Sequence, residues 1–141
     1  MKKSLRVLHL VESNSRGGAA SAAVRIHNAL KTNPAFDSSI GVFENGSNLG
    51  SEFTELPSQP HFFTNRWLNR ISFTLRHFLP ENFRQAVDYL FLRDPKLEIA
   101  LRAFGAEVHL VHWVRARRLG LRTLRRLPGT TVLVLHDLRL L

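Results

Sequence analysis

The stretch from Leu5 to Leu30 constrains this chain most. Leu5-Arg6-Val7-Leu8-His9-Leu10-Val11 is a short, nearly continuous apolar run and not a strict alternation. That is the pattern of a strand covered on both faces in a parallel sheet, so it predicts a central strand. Glu12 to Gly18 interrupts the run with turn formers, and Ala19 to Leu30 resumes at helical spacing, with Ala19, Ala22, Ala23, Ile26, Ala29 and Leu30 on one side. Small side chains on that stripe let the helix lie close on the sheet. A glycine turn feeding a helix start presents backbone N–H groups and the positive end of the helix dipole at the carboxyl edge of the sheet, where phosphate-bearing ligands settle. Gly17 and Gly18 therefore read either as a ligand-contacting turn or as a tight strand-to-helix turn.

With 141 residues, 44% of them hydrophobic, the chain is one domain or part of one, with enough apolar content for a core. The absence of cysteine excludes disulfides, thiolate metal sites and cysteine nucleophiles, and agrees with a cytosolic protein. Met1-Lys2-Lys3-Ser4 is basic, but the apolar run after it is too short for a signal peptide or a membrane span, so a cytoplasmic location is expected. A formal net charge of +9 points to an anionic partner, whether nucleic acid, acidic lipid or a phosphorylated substrate. The charge concentrates in Arg66 to Arg84 and again in Arg115 to Arg126.

Along the chain, Asn33-Pro34 ends the first helix and Ser38 to Phe43 reads as a second strand, reached by a right-handed crossover. Glu44 then stands where a dinucleotide-binding domain places its ribose-binding acid, but the G-x-G-x-x-G fingerprint is lacking, which disfavours a nicotinamide enzyme. Asn45 to Pro60, rich in Gly, Ser, Asn and Pro, reads as an exposed loop. His61 to Leu79 is an amphipathic helix pattern with Phe63, Trp67, Ile71, Leu75 and Phe78 on one stripe, and Arg66 and Arg70 largely elsewhere. Such a helix packs on its own domain or lies in a membrane interface. Glu81 to Leu92 and Lys96 to Phe104 are further helices, the second stopped by Gly105.

Glu107 to Trp113 predicts a third strand, and Thr130 to Asp137 a fourth. Between them, Leu119 to Leu127 predicts a short helix with Leu121, Leu124 and Leu127 inward and Arg118, Arg122, Arg125 and Arg126 outward. That basic face suits a solvated surface or an anionic membrane or acceptor better than nucleic acid, since no aromatic stacking platform accompanies it. The expected fold is α/β, a Rossmann-like three-layer domain whose parallel sheet of about four strands runs in the order second, first, third, fourth. The fourth strand is then an edge. His9, His109 and His112 read as satisfied buried or strand-end imidazoles and not as a metal site, because positions three apart on a strand point to opposite faces and no carboxylate or cysteine cluster joins them.

Three segments carry a resemblance: Val7 to Ala20, Val108 to Trp113, and Thr131 to Asp137. Together they resemble the amino-terminal domain of a GT-B-fold glycosyltransferase of the large family-four group. Such enzymes open with this strand and glycine-rich turn, and carry later strands ending in His-Trp and His-Asp. Arg115, Arg117 and Arg118 stand where relatives often have small residues after the His-Trp strand.

The resemblance implies transfer of a sugar from a nucleotide-sugar donor to a glycan or lipid-linked acceptor, with retention and with no cofactor or obligatory metal. It assigns His136 and Asp137 to the reaction centre, and Arg16, Gly17, Gly18, His112 and Trp113 to substrate or phosphate contact. Arg66, Arg70, Arg118, Arg122 and Arg126 would hold the protein at the anionic inner face of the plasma membrane. Relatives bind the donor mostly in a second Rossmann-like domain, so residues 1–141 are expected to be the acceptor-side domain of a longer or split enzyme, inactive alone. The competing expectation is a noncatalytic basic α/β module that docks on nucleic acid or anionic membrane.

Overall fold

The computed structural model describes residues 3–13, 18–44, 53–57, 80, 94–112, 114 and 119–134. Five strands and three helices lie among them: β1 (Leu5–Ser13), α1 (Gly18–Lys31), β2 (Phe36–Glu44), β3 (Phe53–Glu55), α2 (Pro95–Ala103), β4 (Val108–His112), α3 (Leu121–Leu124) and β5 (Thr130–Val134). The strands form one all-parallel sheet in the order β3-β2-β1-β4-β5, with helices on both faces. This is the expected Rossmann-like α/β arrangement, and β1 is central as its unbroken apolar run required.

Alternation along the strands sorts the core into two layers. Leu8 and Leu10 of β1, Phe43 of β2 and Val111 of β4 pack with Leu97 and Leu101 of α2 and with Leu119, Leu124 and Leu127 around α3. On the other face, Val11, Ile40 and Val42 meet Ala23 of α1, with Val24 and Phe53 packed against them.

Local chemistry explains the elements. The Asp94 carboxylate accepts hydrogen bonds from the N–H groups of Lys96 (3.0 Å) and Leu97 (3.1 Å), and Pro95 opens α2 where no N–H is needed. Gly105, at φ +59°, ends that helix with its N–H on the Arg102 carbonyl, a backbone angle that favours glycine. The Asp94 N–H reaches Thr123 Oγ1 at 3.3 Å, which ties the start of α2 to α3. No helix among the described residues is long and apolar enough to cross a membrane.

Three expectations are corrected. The span from Asn45 to Pro60 is not all loop: Phe53–Glu55 pairs with Ile40 to Val42 as a fifth, edge strand. Three residues in a Gly/Ser-rich setting give almost no periodic signal. What fixes them is tertiary: Leu56 is buried against Gly41, where a Cβ would stand 2.9 Å from its Cδ1. The inner stripe of α1 is rotated, since its two buried residues are Ala23 and His27, while Ile26 is 37% exposed and Ala29 is also exposed. Hydrogen bonding of a histidine decided that rotation, against the apolar count. The helix expected over Leu119 to Leu127 covers only Leu121–Leu124, because Gly120 offers no side-chain cap and the chain tightens into i to i+3 bonds (Arg126 N–H to Thr123 O, Leu127 N–H to Leu124 O) ahead of Pro128. Its sidedness holds: Leu124 and Leu127 are buried, and Arg122, Arg125 and Arg126 are exposed. The helices expected over 61–79 and 81–92 lie outside the described residues.

Candidate functional site

The sheet order reverses between β1 and β4. From β1 the chain crosses by α1 to β2 and β3 on one side, then returns through α2 to β4 and β5 on the other. In open α/β sheets the crevice outside the carboxyl ends of such a strand pair is where ligands bind. Here β1 ends at Ser13, β4 at His112, and α1 begins at Gly18.

Gly18 is a helical residue of α1, exposed, and a Cβ built on it meets nothing within 4 Å. Packing therefore makes no demand for glycine at that position. His112 is the last residue of β4 and is fully buried. Its Nε2 lies 3.1 Å from His9 Nδ1, the rings stacked at 23° with centroids 5.3 Å apart. One nitrogen of that contact carries a proton and the other accepts it. The His27 ring stands edge-on to His9 at 6.0 Å, and its Nδ1 lies 2.8 Å from Ser38 Oγ. A row of Ser38, His27, His9 and His112 thus runs beneath α1 to the carboxyl end of β4.

His9 is held neutral: burial, then the neighbouring His112 and His27, lower its pKa from 6.5 to about 4. His9 Nε2 is buried with no hydrogen-bond partner among the described residues, so this imidazole is only half satisfied, contrary to the sequence expectation. His109 sits on the opposite face, as the spacing of three required, and burial lowers its pKa too. The Thr130 backbone is near enough to oppose that shift, but neither ring nitrogen of His109 meets it with hydrogen-bond geometry. Among the described residues no group of three or more histidines, cysteines or carboxylates is placed to hold a metal.

Sequence reasoning missed His27 and Ser38. A lone histidine on a helix gave no cue, although the parallel pairing of Val7 with Ser38 puts that hydroxyl on the face α1 covers. Of the other site residues, Arg122 and Arg126 lie exposed around α3, where Arg102 Nη2 donates to the Arg126 carbonyl at 2.6 Å. Arg16, Gly17, Arg66, Arg70, Trp113, Arg118, His136 and Asp137 lie outside the described residues. A shallow depression at the opposite, amino edge of the sheet, lined by Arg6, Asp37, Ser39 and Phe104, has room for little more than a water molecule.

A scan against protein-family models, a search of curated proteins and a search of solved structures each find no match to this chain.

Proposed function

We propose that this chain forms the acceptor-side domain of a retaining glycosyltransferase, which moves a sugar from a nucleotide-sugar donor to a glycan or a lipid-linked acceptor. The observation that carries the reading is the sheet reversal between β1 and β4, which puts the start of α1 and the end of β4 on one crevice. Arg16, Gly17 and Gly18 would contact the donor diphosphate or the acceptor, and His112 and Trp113 the substrate. His136, the second residue after the end of β5, would stabilise the sugar in the transition state by hydrogen bonding, with Asp137 beside it. Because His112 is fully buried, a substrate reaches it only when the groups covering it move. The nucleotide would be held mainly by a second Rossmann-like domain, as the resemblance implies.

The test is sugar transfer by the product of the whole reading frame that contains this sequence, with UDP-linked and GDP-linked sugars and a lipid-linked acceptor extract. Transfer that is lost in His136→Ala, with the fold kept by circular dichroism, supports the reading. Failure to bind or consume any nucleotide sugar, or unchanged turnover in that variant, overturns it.

The exposed Arg102, Arg122, Arg125 and Arg126 support a second reading, a noncatalytic basic module on an anionic surface. Binding to acidic but not neutral vesicles, weakening steeply as salt rises, is its mark, since screening limits exposed charges to roughly 8 Å at physiological ionic strength. The same surface serves the enzyme if its acceptor is membrane-linked.

A further inference from the structure

His9 and His112 stand on neighbouring strands and meet across them. His9 pairs with Leu110 in the parallel ladder, so His112, two residues on, is its diagonal neighbour on the face beneath α1. We propose that His9 is a positioning residue for His112: it donates its Nδ1 proton to His112 Nε2, so that both rings are held as the Nδ1–H tautomer and His112 Nδ1 is a hydrogen-bond donor.

Geometry carries the assignment. The ring planes are 23° apart and the centroids 5.3 Å, hardly more than the 3.1 Å nitrogen contact lengthened by one ring radius at each end. The two nitrogens therefore lie almost on the line between the centroids, and a proton on either points straight at the other. Because each neutral imidazole carries one proton, the contact locks the tautomers together: both rings are Nδ1–H, or both are Nε2–H. The far side of His9 decides between them. In the second arrangement its Nε2–H is buried without an acceptor among the described residues, whereas in the first only a bare nitrogen is left short. Orphaned buried N–H groups are the rarer of the two in folded proteins. His9, its pKa lowered to about 4 by burial and then by its two neighbours, stays neutral at physiological pH, as this pairing needs. Whatever His112 Nδ1 meets, it meets as a donor. On the proposed reading of His112 as a substrate contact, on which this step rests, the group it bonds is an acceptor oxygen of the substrate, and the donor is fixed before the substrate arrives.

Nitrogen NMR at neutral pH on the 141-residue chain, isotope-labelled in its histidine rings, tests this. The expected result is a protonated Nδ1 and a bare Nε2 in both His9 and His112, with a scalar coupling between His9 Nδ1 and His112 Nε2 across the hydrogen bond. In His9→Leu the donor is gone and His112 moves toward the Nε2–H tautomer, while His9→Asn, whose amide can donate from the same place, keeps Nδ1–H. In the product of the whole reading frame, His9→Leu lowers kcat/KM for sugar transfer by about threefold to tenfold, the worth of one hydrogen bond, and His9→Asn recovers part of it. An Nε2–H tautomer in either wild-type ring, no coupling between the rings, an unchanged His112 in His9→Leu, or unchanged transfer in that variant would each overturn the proposal. The wild-type tautomers and coupling decide even where His9→Leu does not fold. A wild-type product that transfers no sugar would overturn the enzyme reading alone, and the proton shared by His9 and His112 would still stand or fall by the NMR result.

Discussion

Leu8 and Leu10 send their side chains from β1 into an apolar cluster with Phe43, Val111 and the leucines of α2 and α3, while His9, between them, turns to the face beneath α1 and meets His27 and His112. The same strands therefore support two unlike interiors. One is held by dispersion and by exclusion of water. The other joins the contacts of Ala23 and Val24 with Val11, Ile40 and Val42 to a row of three imidazoles, of which His9 is held neutral by burial and by its two neighbours. The comparison teaches that a parallel sheet can keep one face as an apolar foundation and build the other around buried imidazoles, and the imidazole face here is the one whose helix begins at the candidate crevice.

The largest effect expected from a single change lies on the apolar face. Leu101 is fully buried among Leu8, Leu10 and Leu97, so Leu101→Ala removes its side chain and leaves a cavity, a loss of about 2–5 kcal/mol. Urea denaturation should show that loss at every pH where the protein folds. A loss below about 1 kcal/mol would mean that this face is not the foundation.

Next comes acid. The folded-state pKa of His9 lies below its unfolded value, so the unfolded chain takes up a proton first, and stability falls as pH drops from 6.5 toward about 4. A shift of that size corresponds to about 3 kcal/mol, complete below the lower value and absent above the upper. His109, also lowered, adds in the same direction from the other face. Urea midpoints measured down this window should flatten in His9→Asn. A wild-type protein equally stable at both ends would contradict the burial of His9.

A smaller effect is expected at the base of the histidine row. Ser38→Ala deletes the hydroxyl 2.8 Å from His27 Nδ1, deep on the α1 face, and should cost about 1–3 kcal/mol, as for other buried groups that lose a partner. Ser38→Thr, which keeps the hydroxyl, should restore part of it. Thermal melts of the pair measure the difference, and no change in either would remove His27 from the seat of α1.

The two faces also differ in how far they could be read from sequence. Unbroken apolar runs such as Val7 to Val11 announce buried parallel strands, and the order β2-β1-β4-β5 follows from right-handed crossovers, so the layer architecture was legible. Gly105 marked the end of α2, whereas the Asp94 cap at its start came only with the structure. The histidine face was not legible, because its organisation depends on register: Val11 pairs with His112, which brings that ring to His9 across two strands. Helical periodicity misled at α1, where apolar spacing favoured Ile26 and hydrogen bonding to Ser38 turned His27 inward. β3 was hidden since three residues cannot show a period. Of the candidate site, Gly18 and His112 were found as neighbours of the crevice, but the contact that organises His112 was invisible without its partner strand.

The smallest effect on stability is expected at Gly18, and for that reason it separates structure from function most cleanly. The residue opens α1 with ordinary helical geometry, and a Cβ placed there meets nothing within 4 Å. Alanine at a helical position avoids the backbone entropy cost of glycine, so Gly18→Ala should be neutral or more stable by up to about 1 kcal/mol, and Gly18→Val should leave the circular dichroism spectrum unchanged. A ligand sees the position differently. Backbone N–H groups at a helix start bind a phosphate by close approach, and a branched side chain at Gly18 holds such a group away. On the proposed reading, Gly18→Val loses nucleotide-sugar transfer at full stability, while Gly18→Ala keeps part of it. Full turnover in Gly18→Val would leave the start of α1 without a part in binding, and destabilisation by both substitutions would instead return Gly18 to the scaffold.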